Sequence, residues 1–361
     1  MPAPSRKSLA FEHVTLGQRA LFGAGQAASH LANEVARLAA KRVMVIADDA
    51  SAHTAAVVAR RLDVTVNYND VAPHVPIGKA QTARTVALDN NIDLLVSVGG
   101  GSTTGLAKAI ALTTGIPIVA VPTTYAGSEA TNIWGITESA RKTTGVDDKV
   151  LPITVIYDVD LTLSLPLSLS IASGMNAMAH CIDSMWAPRA DPLNTALAAE
   201  GIRALAAGLT SVKSDAHNTA GREQLLYGAY LAGVAFASAG SGVHHKICHV
   251  LGGAYDLPHA QTHAVILPHV LAFNTASAPE LDKRIAAAFG SESATSGLDA
   301  LRRQLDAPAA LKDYGFEEED IPAAAGLILP VLPGSNPRPV TKTDLEHILR
   351  AAHAGTSPGR P

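Results

Sequence analysis

Residues 93–108 read DLLVSVGGGSTTGLAK, and the order of the parts in this stretch decides the fold. An apolar, β-branched run leads into three glycines, and these lead into helix-forming residues from Ser102. Strand, tight turn and helix in that order make half of a βαβ unit, the building block of a mostly parallel sheet. The same texture recurs on both sides. RVMVIAD (42–48) reads as a strand, followed by an Ala-rich helix through Arg61, a second run DVTVNY from Asp63 and a helix from Lys79. IPIVAVPTT and ITVIYD extend the sheet further along the chain, although its strand order cannot be read from the pattern.

After Asp158 the texture changes. LTLSLPLSLS carries a proline, and from Ile171 apolar residues recur at helical spacing, with Met175, Met178 and Ile182 on one face. DPLNTALAAEGIRALAAGL offers an Asp191-Pro192 helix start, and a last helix spans about Thr343 to Ala352. At 361 residues the chain is long for one compact domain, so the reading is an α/β nucleotide-binding domain over residues 1–160 and an all-α domain over 161–361.

Composition excludes several classes of function. A net charge of -4 gives no general attraction to nucleic acid or to an anionic membrane, so any anionic ligand must be met locally. No run reaches the roughly 18 apolar residues that span a bilayer, and MPAPSRKSLAFEHV lacks an apolar signal core. Two cysteines, Cys181 and Cys248, cannot form a stapling framework, and a cytoplasmic setting is expected.

The glycine turn is the first candidate for chemistry. Gly99, Gly100 and Gly101 let phosphate oxygens approach the backbone, and the helix start at Ser102 offers free N–H donors, so the turn can hold a pyrophosphate. A turn needed only for packing is the plainer alternative. The GxGxxG fingerprint is absent from the first strand, where Phe22-Gly23-Ala24-Gly25 is a partial echo, so a standard Rossmann half is not expected. VPTTYAGSEAT places Thr123, Thr124 and Ser128 where they suit either phosphate and ribose oxygens or ordinary turn capping. Asp48, ending its strand, suits ribose hydroxyls and hints at NADH over NADPH.

Histidine is the sharper signal. Six of the fourteen lie within SGVHHKICHVLGGAYDLPHAQTHAVILPH; His245 and His249 share a helical face, and His259 follows a glycine-containing turn. His180, on an earlier helix, completes a convergent set of imidazoles.

GGGS after one strand, PTT after the next, GMxAxxH and a later H-x3-H-x9-H segment resemble the iron-containing (group III) alcohol dehydrogenase family over almost the whole chain. That resemblance implies a dehydroquinate synthase-like, iron-containing alcohol dehydrogenase-like fold. It places a family metal site, built from an Asp and three His, at Asn176, His180, His245 and His259. His249 matches a histidine that the family uses in proton transfer, Lys149 falls among the implied cofactor-binding residues, and a homodimer is implied.

Two departures stand out: Asn176 replaces the ligand Asp, and Gly105 stands where GGGSxxD has its Asp. Together with PTTYAGSE, IWGITE and VHHKICHVLGG they resemble the branch of the family that reduces the C=C bond of maleylacetate to 3-oxoadipate with NADH or NADPH.

A neutral amide beside three uncharged imidazoles gives a cation no balancing charge, and the expectation is a site that holds no metal. The enolate oxygen then meets donors from His245, Lys246 and His249. Lys246, Lys149, Arg141 and Arg338 are the candidate partners for the two carboxylates of a small dicarboxylate substrate. A metal-dependent alcohol or polyol dehydrogenase, with Asn176 or water as fourth ligand, is the nearest rival. A catalytically idle nucleotide-binding protein is the more distant one.

Overall fold

The computed structural model describes residues 11–138 and 141–357. Its first half contains strands β1 (Arg19–Phe22), β2 (Val43–Ile46), β3 (Val64–Tyr68), β4 (Leu94–Gly99), β5 (Ile118–Pro122), β6 (Ile133–Glu138), β7 (Arg141–Val146) and β8 (Thr154–Tyr157). Between them run helices α1 (Ala27–Arg37), α2 (Ala52–Ala59), α3 (Ile77–Asp89) and α4 (Gly101–Thr114). Six strands form one parallel sheet in the order β1-β8-β5-β4-β2-β3, and β6 and β7 pair as a separate antiparallel hairpin.

The central strands read as unbroken apolar runs because both faces of the sheet are covered. Val43 and Val45 pack with Ala27, Leu31, Ala55 and Val58, while Met44 and Ile46 pack on the other side with Ala80, Ala83, Leu106 and Ile110. The chain runs from β2 outward to β3, then returns across β2 to β4, so the strand order reverses between β2 and β4. In open α/β sheets the crevice at such a reversal, beyond the carboxyl ends of the strands, is where ligands bind. Register pairs Ile46 with Ser97 and Gly99 with Pro122, so the loops that follow β2, β4 and β5 emerge side by side there.

The second half is helical: α5 (Leu167–Ser184), α6 (Pro192–Ser214), α7 (Thr219–Ala239), α8 (Val243–Ala254), α9 (His259–Thr275), α10 (Pro279–Phe289), α11 (Ala294–Leu305), α12 (Ile321–Ile328) and α13 (Lys342–Ala354). The α/β and all-α halves agree with the fold class expected from the sequence. Helix α5 is buried on every side from Ser170 to Ser184, as befits a central helix. Its Met175, Met178 and Ile182 share one core with Val155 and Tyr157 of the sheet, so the two halves are fused through a common interior. The expected Asp191 start is realised: its carboxylate accepts from the backbone N–H groups of Leu193 and Asn194, ahead of Pro192.

Candidate active site

Helix α5 carries Asn176, His180 and Asp183 at positions i, i+4 and i+7, which fall on one face. All three are buried. Asp183 has no solvent exposure, and around its carboxylate the site is organised. It accepts from the backbone N–H of Gly242 at 2.8 Å, His244 at 3.2 Å and His245 at 3.4 Å, the first turn of α8. The Trp186 indole donates at 3.2 Å and His245 Nδ1–H at 2.7 Å. A negative charge at a helix N-terminus meets both unsatisfied N–H groups and the positive end of the dipole. Burial raises the Asp183 pKa, and the backbone N–H groups of His245 and Gly242 and the Trp186 N–H oppose the rise. With so many donors converging, the group is the acceptor-only carboxylate. Gly242 must be glycine, since a Cβ there would collide with the Asp183 carboxylate oxygens.

The imidazoles gather next to this carboxylate. The His180 ring stacks on His245 at 4.9 Å between centroids, His249 lies 6.0 Å from His245, and His263 lies 4.8 Å from His245 and 4.4 Å from His259. Burial pushes His180 down to about 4 and His245 well below the ordinary histidine value, so both are neutral imidazoles near pH 7. Asn176 donates from its amide nitrogen to the Ala126 carbonyl at 3.4 Å. Asn176 Oδ1, His180 Nδ1, His244 Nδ1, His245 Nε2 and His263 Nε2 are buried polar atoms left without a hydrogen-bond partner.

The loops that follow β4 and β5 reach this cluster directly. Gly99 ends β4 and Gly100 caps α4, giving the expected strand–turn–helix, with Ser102 in the first helical turn. Thr123 donates its backbone N–H to the Gly99 carbonyl at 3.0 Å. An added Cβ on Gly100 would meet the Thr124 methyl at 3.1 Å, and one on Gly101 would lie 3.9 Å from Ser128 Oγ. The same loop then approaches α5, where Ser173 Oγ accepts from the Tyr125 backbone N–H at 3.0 Å. Lys108, fully buried and pushed by burial down to about 7, braces the loop by donating to the carbonyls of Ser128, Thr131 and Ile133. Asp48 is half-buried at the end of β2, and one of its oxygens is already engaged by the Ser51 backbone N–H.

Family models match in two consecutive segments. An iron-containing alcohol dehydrogenase model covers residues 17–159, and the C-terminal model of the Fe-containing alcohol dehydrogenase family covers 170–353. The chain belongs to the iron-containing alcohol dehydrogenase family. It is 43% identical to the maleylacetate reductase of Burkholderia cepacia over 94% of this chain and 97% of that one. Among solved structures it is similar to an iron-containing alcohol dehydrogenase from Corynebacterium glutamicum, with 58% identity and a TM-score of 0.94 over 96% of this chain and 98% of that one. It is also similar to maleylacetate reductase from Agrobacterium tumefaciens, with 40% identity and a TM-score of 0.91 over 97% of this chain and 100% of that one.

Membership in an iron-containing family overturns the expectation of a site without metal. The residues present fit such an ion. Asn176 Oδ1, His180 Nδ1 and His245 Nε2 are buried without partners, and His180 and His245 are neutral imidazoles, the protonation state that metal binding requires. The charge thought lost at Asn176 sits instead at Asp183, behind His245, in the carboxylate–histidine arrangement that orients metal-bound imidazoles. Among the described residues, the set whose ligand atoms lie within 4.8 Å of one another is the adjoining His244, Cys248 and His263.

Other site expectations divide. His180, His245 and His249 come together, and His259 joins them through His263. The hydrogen bond to Asp183 uses the Nδ1–H of His245, which makes its Nε2 a lone pair and corrects its expected role as a donor to an enolate. Lys246 is half-buried on α8, within electrostatic reach of His245. Lys149 is exposed after β7. Arg338 stands over the Phe273 ring at 4.1 Å and pairs with Asp344 at 3.4 Å, so it braces α13 instead of facing the imidazoles. The side chain of Arg141 lies outside the described part of the chain. Gly105 has a steric reason as well, since a Cβ there would come within 2.9 Å of Val75. Sequence reasoning missed Asp183 and His263, although the i+7 step from Asn176 and the i+4 step from His259 place each on the relevant helix face.

Proposed function

We propose that this oxidoreductase reduces the C=C bond of maleylacetate to 3-oxoadipate with NADH, or NADPH, in the breakdown of aromatic compounds. The observation that carries the reading is continuity: one loop, residues 123–128, joins the glycine turn after β4 to the helix bearing Asn176 and His180. A dinucleotide lying at the carboxyl edge of the sheet is thereby adjacent to the imidazole cluster.

In this reading the backbone at Gly99, Gly100, Gly101 and Ser102 and the hydroxyls of Thr123, Thr124 and Ser128 hold the pyrophosphate, with Asp48 and Lys149 toward the rest of the nucleotide. Asn176, His180, His245 and His259 hold a divalent cation. When bound, the dinucleotide supplies a hydride and the cation polarises the keto oxygen. The chain's own residues do the rest. The half-buried Lys246 offers a cation to a substrate carboxylate, and His249, at the rim of the cluster, passes a proton to the α-carbon. The balance is one hydride to the carbon β to the ketone, one proton to the α-carbon, and oxidised dinucleotide released. His245, held by Asp183, keeps its Nε2 aimed and unprotonated throughout.

Two buried, unpaired cysteines suit a reducing, cytoplasmic setting, and a homodimer is the proposed assembly. No single helix among the described residues is long and apolar enough to cross a membrane. The test is an NADH oxidation assay on freshly prepared maleylacetate, with iron-loaded and chelated protein and with simple alcohols plus NAD as controls. Rapid turnover of maleylacetate supports the proposal, whereas turnover of alcohols alone transfers the assignment to an alcohol or polyol dehydrogenase.

A further inference from the structure

His263 has no place in the family's ligand pattern, yet its ring lies inside the cluster, with no solvent exposure. Its neighbours are His259 at 4.4 Å, His245 at 4.8 Å, His244 at 4.9 Å and His180 at 6.4 Å between centroids. One ring nitrogen, Nδ1, lies 2.9 Å from His244 Nε2, and His244 is itself fully buried. The other, Nε2, is buried and has no partner. A buried polar atom without a partner is costly, so this Nε2, on a ring packed against His259 and His245, is one that a bound ligand would satisfy.

The hydrogen bond between two neutral imidazoles couples their tautomers. When His244 Nε2–H donates to His263 Nδ1, the remaining proton of His263 must sit on Nε2, which becomes a donor. His245 is fixed in the opposite sense, with its proton held by Asp183 and its Nε2 left as a lone pair. With His244 Nε2–H as that donor, the cluster offers lone pairs from His245 Nε2 and Asn176 Oδ1, and one N–H from His263. An oxygen that gains negative charge as a hydride arrives needs such a donor.

We propose that His263 is a further catalytic residue, donating its Nε2–H to the keto oxygen of the substrate as it becomes an enolate, and that His244 is a positioning residue that fixes the donor tautomer. This rests on the reading of the chain as a maleylacetate-reducing enzyme.

The experiment compares iron-loaded wild type with H263F, H263Q, H244F and H244Q, measuring kcat and KM for maleylacetate, iron content and Tm. Loss of one such donor is expected to lower kcat roughly 100-fold in H263F, with KM within a few-fold and iron content unchanged. H244F should fall in the same way, and H244Q, whose amide N–H can still donate to His263 Nδ1, should recover most of the loss. H263Q keeps a donor of similar reach and is the control if H263F does not fold: it should retain more than a tenth of wild-type kcat. Loss of iron from the His263 variants would overturn the proposal by making that nitrogen a metal ligand, and an unchanged kcat in H263F would overturn it outright. Equal losses in H244F and H244Q would remove the tautomer role of His244. Failure of wild-type protein to reduce maleylacetate would instead strike the underlying functional reading, before any variant is compared.

Discussion

Replacing Asp183 by Asn removes one charge and changes almost no volume, so its effect isolates the electrostatic role of that carboxylate. In the native site two oxygens accept from three backbone N–H groups of α8, the Trp186 indole and His245 Nδ1. An amide keeps one accepting oxygen and turns an NH2 toward groups that are themselves donors. Whichever oxygen becomes the NH2, at least two of the five buried donors lose their charged acceptor, and at roughly 1.5–3 kcal/mol per hydrogen bond the loss is about 3–5 kcal/mol. With an unfolding entropy of roughly 2.1 cal/mol/K per residue, 361 residues convert that loss into a Tm fall of about 4–7 °C. The His245 ring also loses the partner that fixes its tautomer, and the affinity for iron should drop roughly 10–100-fold. Differential scanning fluorimetry on apo-protein gives the first quantity, and competition with a chromophoric chelator gives the second. A D183N protein with wild-type Tm and wild-type iron affinity would refute the placement of the site's negative charge at Asp183.

Two further outcomes follow from the same electrostatics. N176D restores a carboxylate next to three imidazoles and should raise iron affinity at least about tenfold, read by the same chelator competition; an unchanged affinity would mean that position 176 does not face the ion. Acid should destabilise the apo-protein through its buried histidines. His180, held down to about 4 by burial, stays neutral in the fold while the unfolded chain takes up a proton near pH 6.5. Its stabilising contribution is therefore complete above about pH 6.5 and is lost as pH falls toward 4, to a total of roughly 3 kcal/mol, with the same sign for His244 and His269. Urea unfolding at pH 7, 6 and 5 measures this, and equal stabilities at all three would contradict neutral burial.

The strands that sequence pattern finds are those buried on both faces. β2, β4 and β5 are continuous apolar runs between helices, and each has the expected position. β1, partly exposed RALF, and the β6–β7 hairpin carry no comparable signal, and sheet order depends on contacts between strands far apart in sequence. The site divides along the same line. His180, His245 and His249 stand out because imidazoles at helical spacing are unusual. The expectation of a site without metal failed because it counted charge only on the four matching positions. Asp183 lies one further turn along α5, and its relation to His245 arises only when α8 packs its N-terminus against that helix. In the sequence His263 is one more histidine in a run, since its bond to His244 is invisible until α8 and α9 are placed side by side.

The most direct measurement of the central claim is where the hydride goes. Maleylacetate reduced by wild-type protein with NADH deuterated at the transferring position should give 3-oxoadipate, one per NADH consumed, carrying deuterium at the carbon β to the ketone. Deuterium on the former keto carbon of a hydroxy acid, with the C=C bond intact, would show carbonyl reduction and contradict the account.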